Sequence, residues 1–207
     1  VVILVATSGD TGKAALEGFA DVPGTQIIVF YPSEGVSDIQ KQQMITQAGK
    51  NVKVFGIEGN FDDAQRGVKE IFGNTALSDE LAKKGYTFSS ANSINWGRLV
   101  PQIVYYFSAY VDAVKAGKIT AGAPINFVVP TGNFGDILAG YYAKLMGLPI
   151  DRLLCASNSN NVLTDFINTG VYDRRREFFK TVSPSMDILV SSNLERLLYS
   201  VTEHDAA

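Results

Sequence analysis

The stretch Val1-Val2-Ile3-Leu4-Val5-Ala6-Thr7-Ser8-Gly9-Asp10-Thr11-Gly12 decides the fold. Its first half is a near-continuous apolar, β-branched run, as a strand buried on both faces of a sheet must be. Its second half is small, polar and glycine-bearing, and a segment of helical period follows from about Lys13 to Phe19. A strand fed through a short glycine loop into a helix opens a βαβ unit, and the chain goes on repeating that alternation. Gln26 to Tyr31, Val52 to Ile57, Tyr86 to Ser89, Ile125 to Val129 and Arg152 to Ala156 read as the further strands. The pattern predicts an α/β protein of doubly wound parallel sheets with flanking helices and right-handed crossovers. In such sheets ligands bind beyond the carboxyl ends of the strands, so the strand-to-helix loops are the places to look for chemistry.

Helix limits are legible at their ends. Ser37 with Gln40 forms a capping box for a helix through Ala48, where Gly49 supplies a left-handed stop. Asn60 caps a segment whose apolar face is Phe61, Ala64, Val68, Ile71 and Phe72, at spacings of three and four. Leu99, Ile103, Phe107, Tyr110 and Val114 form a longer stripe, with Pro101 expected in its first turn. Phe134, Leu138, Tyr141 and Leu145 form another, closed by Gly147 and Pro149. A domain seam is expected in the Asn92 to Gly97 stretch, dividing residues 1–92 from 93–207, with the polar Lys115 to Pro124 link as a second candidate.

Composition narrows the function. With 207 residues, 46% of them hydrophobic and 19% charged, the chain can bury a sizeable core. A net charge of −3 gives no basic field for a nucleic-acid backbone or an anionic membrane, so neither is an expected partner. One cysteine, Cys155, excludes an internal disulfide, and one histidine, His204, leaves no Ser-His-Asp set and no Cys/His metal spacing. No metal site is expected, and Cys155 reads as a small core residue rather than a nucleophile. No apolar run approaches a membrane span and the N-terminus has no signal-peptide character, so a cytoplasmic setting is expected. The chain opens on strand-like sequence without Met, which reads as a piece of a longer protein.

Two glycine loops are ready for anions. In Thr7 to Gly12, Gly9 and Gly12 allow close backbone approach, while Ser8, Thr11 and the first helical N–H groups offer donors. It is not a P-loop: Thr7 stands where that motif has its first glycine and Ala14 where it has its magnesium-binding hydroxyl. In Pro130-Thr131-Gly132-Asn133-Phe134-Gly135-Asp136, two glycines flank residues whose N–H groups line up with a helix N-terminus, a concavity suited to a phosphate monoester. No lysine or arginine lies in that loop, so backbone dipoles would hold the charge. The spacing is not that of the dinucleotide fingerprint. A plain βα turn accounts for either loop as well.

The residues also carry a family resemblance. Ala6 to Gly12, then Gln40-Lys41-Gln42-Gln43-Met44, then Asn92-Ser93-Ile94-Asn95-Trp96-Gly97-Arg98-Leu99, then Gly132 to Asp136, then Ala143-Lys144-Leu145-Met146-Gly147-Leu148-Pro149 together resemble threonine synthases of the bacterial and fungal type, in order over almost the whole chain. The resemblance implies the tryptophan-synthase β-like architecture, fold type II of the pyridoxal 5'-phosphate enzymes, here incomplete. Residues 1–92 would be its small mobile domain and 93–207 the central part of its large cofactor-binding domain. The implied activity is a lyase-type β,γ-replacement turning O-phospho-L-homoserine and water into L-threonine and phosphate, by a monomer or homodimer. Gly132, Asn133, Phe134 and Gly135 match the family loop for the cofactor phosphate. Ser8, Gly9, Thr11 and Gly12 match the substrate-facing loop, and Asp10 stands where related enzymes often place an asparagine against the ring hydroxyl. Asn95 and Arg98, at the start of the long helix, are candidate ligands of the substrate phosphate; a helix cap and a surface ion pair account for them equally well.

One departure stands out. The family carries its cofactor on a lysine in an Ala-Phe-Lys-Asp context upstream of the first loop, and no such context occurs here; Lys13 does not match it. The expectation is that the isolated chain has no catalytic residue of that kind and is inactive as a synthase. Two rival readings share the same residues: a serine/threonine dehydratase-like enzyme of the same fold, and a noncatalytic module that binds a phosphate ligand. Elsewhere, Asn158, Asn160 and Asn161 read as caps for a helix at Val162, and Arg174-Arg175-Arg176 as a solvated face or loop contact.

Overall fold

A computed structural model describes residues 1–205. In chain order the elements are β1 (Val2–Ala6), α1 (Asp10–Phe19), β2 (Gln26–Pro32), α2 (Asp38–Ile45), β3 (Val52–Ile57), α3 (Phe61–Gly73), α4 (Thr75–Lys83) and β4 (Phe88–Ser90). There follow α5 (Trp96–Lys115), β5 (Ile125–Pro130), α6 (Gly135–Leu145), β6 (Ile150–Ala156), α7 (Val162–Thr169), a 3-10 turn (Pro184–Met186) and α8 (Leu194–Val201). The chain divides into two compact units, Val1–Asn95 with Val182–Ser185, and Trp96–Thr181 with the segment from Met186.

In the first unit the strands run in the order β3-β2-β1-β4, all parallel. Strand alternation builds two cores from one strand. Ile3 and Val5 of β1 pack with Ile27, Val29, Ala15, Leu16 and Met44 under α1 and α2. Leu4 and Ala6 pack with Ala64 and Val68 of α3. The sheet is thus covered on both faces, which is why β1 reads as an unbroken apolar run. Winding proceeds from β1 to β3 on one side and returns to β4 on the other, so the order reverses at β1, and the Thr7 to Gly12 loop leaves the sheet at that switch point.

Asn92 holds the end of this unit to β1: its Oδ1 accepts from the Ala6 N–H at 2.9 Å and its Nδ2 donates to the Ala6 carbonyl at 2.7 Å. Asn95 Nδ2 donates to the Ser90 carbonyl at 2.8 Å. These bonds hold residues 92 to 95 to the first unit.

In the second unit β5 and β6 pair in parallel with a register shift between Ile125 and Phe127. Helix α6 makes the crossover, and Leu99, Tyr106 and Tyr110 of α5 share one core with Ile137, Leu138, Ala139 and Ala143 of α6. The Tyr106 hydroxyl donates to the Asp136 carbonyl at 2.9 Å, fastening α5 to the first turn of α6.

Several expected limits move, each for a local reason. Helix α1 begins at Asp10 rather than Lys13, so Thr11 and Gly12 lie in its first turn. Helix α2 has the expected capping box but ends at Ile45, with Thr46 rather than Ala48 closing it. The strand expected from Tyr86 starts at Phe88, because the Tyr86 N–H is taken by the Leu81 carbonyl at 2.9 Å as α4 ends. Pro101 sits in the second turn of α5, not the first. Leu145 is 62% exposed, so the buried face of α6 is carried by Ile137, Leu138 and Ala139 instead. The β6 strand starts early, at Ile150, and α4 and α8 were not among the expected helices.

Candidate functional site

The first loop is organised from beneath by Thr7, a residue that its sequence pattern does not mark. Thr7 is 1% exposed, and its Oγ1 accepts N–H bonds from Gly9 at 2.9 Å and Gly12 at 2.8 Å. One hydroxyl thereby holds the turn and two donors of a helix start that has no side-chain cap of its own. The glycines are required by the protein itself. Gly9 has φ +141°, and a Cβ there would lie 2.4 Å from Gln40 Cδ; at Gly12 it would lie 2.5 Å from Thr7 Cγ2 and 2.9 Å from Met44 Sδ. The close approach anticipated for a ligand at these positions is filled by Gln40, Thr7 and Met44.

Gln40 is buried and joins the capping box to the loop. Its Oε1 accepts from the Ser37 hydroxyl at 2.9 Å and its Nε2 donates to Asp10 Oδ1 at 2.6 Å. The Ser185 hydroxyl donates to the other oxygen of Asp10. Both carboxylate oxygens of an exposed side chain are therefore engaged, which fixes its orientation. Ser8 and Thr11 are half-buried, and their hydroxyls meet no partner among the described residues. Lys13 is committed to Glu17 at 2.7 Å and to Gln47.

The second loop is built differently. Phe134 is buried in the left-handed region, with φ 65° and ψ 7°, and stands at the N-cap of α6. Asn133 Oδ1 accepts the Gly135 N–H at 2.9 Å, and Thr131 is pinned by its N–H to the Ala156 carbonyl at 2.8 Å and by its hydroxyl to the Val129 carbonyl at 2.7 Å. The Gly132 carbonyl accepts from the Ser191 hydroxyl, and the Asn133 carbonyl accepts from both the N–H of Asn193 at 3.0 Å and its Nδ2 at 3.1 Å. Among the described residues, the N–H groups of Gly132, Asn133 and Phe134 have no protein acceptor. Three consecutive open donors at a helix N-terminus, in a loop without cationic side chains, are the arrangement that an anion would require.

Asp136 follows this turn. Burial raises its carboxyl pKa, opposed by the neighbouring Tyr106 hydroxyl, and burial together with that carboxylate pushes the Tyr106 phenol up. Asp136 Oδ1 is buried without a hydrogen-bond partner. Arg98, in the first turn of α5, is exposed and makes no ion pair with the described residues, so the surface ion pair is not seen; Asn95 precedes that helix. The described residues hold no cluster of three or more His, Cys, Asp or Glu able to bind a metal ion, and no helix long and apolar enough to cross a membrane.

No protein-family model matches the chain. Human Threonine synthase-like 1 is 51% identical over 98% of this chain and 28% of its own length. Threonine synthase of Eremothecium gossypii is 47% identical over 95% of this chain and 37% of its own. The crystal structure of pyridoxal-phosphate-bound threonine synthase from Brucella melitensis superposes with a TM-score of 0.80 at 46% identity, covering 99% of this chain and 42% of that one. The chain is a homologue of the threonine synthases. It spans between a quarter and two fifths of the length of these curated relatives. The threonine synthase of Escherichia coli matches equally well in shape, with a TM-score of 0.84 at 35% identity. The expected α/β fold with parallel sheets and flanking helices, fold type II, is that of these neighbours.

In this threonine synthase homologue the asparagines after β6 are not caps. Asn161 makes no side-chain capping bond to α7, while Asn158 and Asn160 donate to Asp187 Oδ1 at 2.7 and 3.1 Å. Asp187 also accepts from the N–H and hydroxyl of Thr181, at 2.8 and 2.7 Å. The cluster satisfies a buried carboxylate and ties the 179–187 segment to the β6 loop. Of the three arginines, Arg176 is a loop contact, bound to Asp165 at 2.8 Å and Asn161 at 3.2 Å, whereas Arg174 and Arg175 are exposed. Cys155 is half-buried, with its thiol pKa raised by burial. The residues that sequence reading missed are Thr7, Gln40 in its second role, Ser185, Ser191 and Asn193. Their partners lie up to 175 residues away, and no local pattern signals such a bond.

Proposed function

We propose that this chain is part of a threonine synthase that binds pyridoxal 5'-phosphate and converts O-phospho-L-homoserine and water to L-threonine and phosphate. The observation that carries the reading is the run of three uncommitted amide donors at Gly132, Asn133 and Phe134. They suit the phosphate end of the coenzyme, whose charge they meet with backbone dipoles alone. When bound, the coenzyme supplies an electron sink for carbon-centred charge.

The remaining roles fall to this chain's own side chains. Gly135, capped by Asn133, opens the helix behind the phosphate. Asp10, oriented by Gln40, accepts a hydrogen bond from the ring hydroxyl. The free hydroxyls of Ser8 and Thr11, on a backbone shaped by Gly9 and Gly12, bind the substrate's carboxylate or phosphate. Arg98 offers the departing phosphate a cation, the complement that such a leaving group needs, and Asn95 is the other candidate ligand. The unit opening at Val1 serves as the small mobile domain and the unit from α5 as the central part of the coenzyme domain. The setting is cytoplasmic and the assembly a monomer or homodimer.

The reaction requires a lysine in an Ala-Phe-Lys-Asp context, which this chain does not contain, so the isolated chain is inactive on this reading. The test is release of inorganic phosphate from O-phospho-L-homoserine by the protein that carries this chain. Release of phosphate supports the proposal. Ammonia release from threonine without phosphate turnover establishes the dehydratase-like alternative, and binding of pyridoxal 5'-phosphate with neither activity establishes the noncatalytic module.

A further inference from the structure

We infer that Ser191 and Asn193 are positioning residues for the anion-binding turn, fixing the direction of its amide donors through the carbonyls on the opposite side of the same peptide planes. This inference rests on the proposed phosphate-binding role of the turn. In a trans peptide the C=O of one residue and the N–H of the next point to opposite sides of one rigid plane, and the described chain has no cis peptide. The Gly132 carbonyl, held by the Ser191 hydroxyl, therefore sets the Asn133 N–H. The Asn133 carbonyl, held twice by Asn193, sets the Phe134 N–H. Without these holds the Gly132–Asn133 plane is free to flip, since glycine tolerates either orientation. Phe134 would also lose what stabilises its left-handed backbone, a conformation that costs a non-glycine residue of order 1 kcal/mol.

Asn193 shows that this is its occupation. It stands at the N-cap of α8, where asparagine ordinarily caps its own helix, yet it makes no side-chain capping bond there. Its amide reaches back 60 residues to Asn133, and its Oδ1 accepts from Arg196 Nη1 at 2.5 Å, which leaves the amide nitrogen directed at the loop. Asn193 is 1% exposed, so its side-chain amide is withdrawn from water and directed to partners within the protein. Ser191 is likewise buried, and its carbonyl accepts the Leu194 N–H at 3.0 Å, making the 191–194 turn a rigid backing.

The experiment compares binding of pyridoxal 5'-phosphate and of pyridoxal, which lacks the phosphate, to the protein that carries this chain and to its S191A and N193A variants. The expected result is a marked preference for the phosphorylated form in the unsubstituted protein. That preference should fall about threefold to tenfold in S191A and in N193A alike, each losing one side-chain hydrogen bond to the turn while the Asn193 N–H keeps its own, with pyridoxal binding unchanged. A merely structural defect would weaken both ligands together. If the unsubstituted protein shows no preference, the phosphate role of the turn fails; if it does and both variants keep it, the positioning role fails. Should N193A not fold, S191A decides alone, because it removes only a hydroxyl.

Discussion

The two glycine loops look alike in sequence, each following a strand and opening a helix, but they use their backbone in opposite ways. After β1, the glycine amides turn to the buried hydroxyl of Thr7, and the space beside the glycines is occupied by Gln40, Thr7 and Met44. What this loop offers outward is side-chain chemistry: two uncommitted hydroxyls and a carboxylate held by Gln40 and Ser185. After β5, the carbonyls are engaged from behind and consecutive amides stay open. The difference teaches that a glycine loop is defined by what satisfies its peptide groups, since unsatisfied donors are the ones available to a ligand.

The sharpest break of this comparison is Gly9→Ala. A methyl at φ +141°, within 2.4 Å of Gln40 Cδ, combines backbone strain with overpacking, so urea denaturation should show a loss of about 3 kcal/mol or more. A loss under about 1 kcal/mol would mean that Gln40 does not hold its place. Next comes Thr7→Val, which keeps shape but strands two buried donors; about 2–3 kcal/mol is expected, most of it restored by Thr7→Ser. In the second loop, Asn133→Ala removes only the bond to the Gly135 N–H. It should cost about 1 kcal/mol and weaken phosphate-bearing ligands relative to their dephosphorylated forms.

Asp136 gives a smaller effect that is resolved by pH. Its folded pKa lies above the ordinary carboxylate value, so the native state binds its proton more tightly than the unfolded chain does. The sign follows: its contribution is most favourable below the ordinary carboxylate pKa and is lost as pH rises through the raised one. Asp136→Asn should flatten that part of the stability–pH curve and be at least as stable as the parent at neutral pH. A curve unchanged by the substitution would contradict this. Smallest in stability is Arg98→Ala, an exposed change expected within about 0.5 kcal/mol. On the proposed function it should nonetheless raise KM for O-phospho-L-homoserine, and an unaltered KM would remove Arg98 from the substrate site.

Sequence reading located both loops because their signals are local. An apolar run followed by small polar residues and glycine identifies a strand leaving a sheet, and periodicity then supplies the helix. It placed the Ser37–Gln40 and Asn60 caps for the same reason, their partners being three residues away. It missed the helical start at Asp10, because the deciding acceptor is a threonine it had assigned to the loop. It misassigned Asn158 and Asn160 as caps because the carboxylate they serve, Asp187, is 29 and 27 residues distant.

The amino-acid sequence by itself determined the alternation of strands and helices, the parallel sheet buried on both faces, and the motifs that mark a threonine synthase homologue, because hydrophobic period, turn residues and short motifs are written within a few positions of one another. Only the tertiary structure decided which glycines shelter side chains and which amides remain open. Those outcomes depend on hydrogen bonds between residues far apart in the chain, such as Gly132 with Ser191 and Asn133 with Asn193, and a bond of that kind exists only once folding has brought its donor and acceptor within about 3 Å.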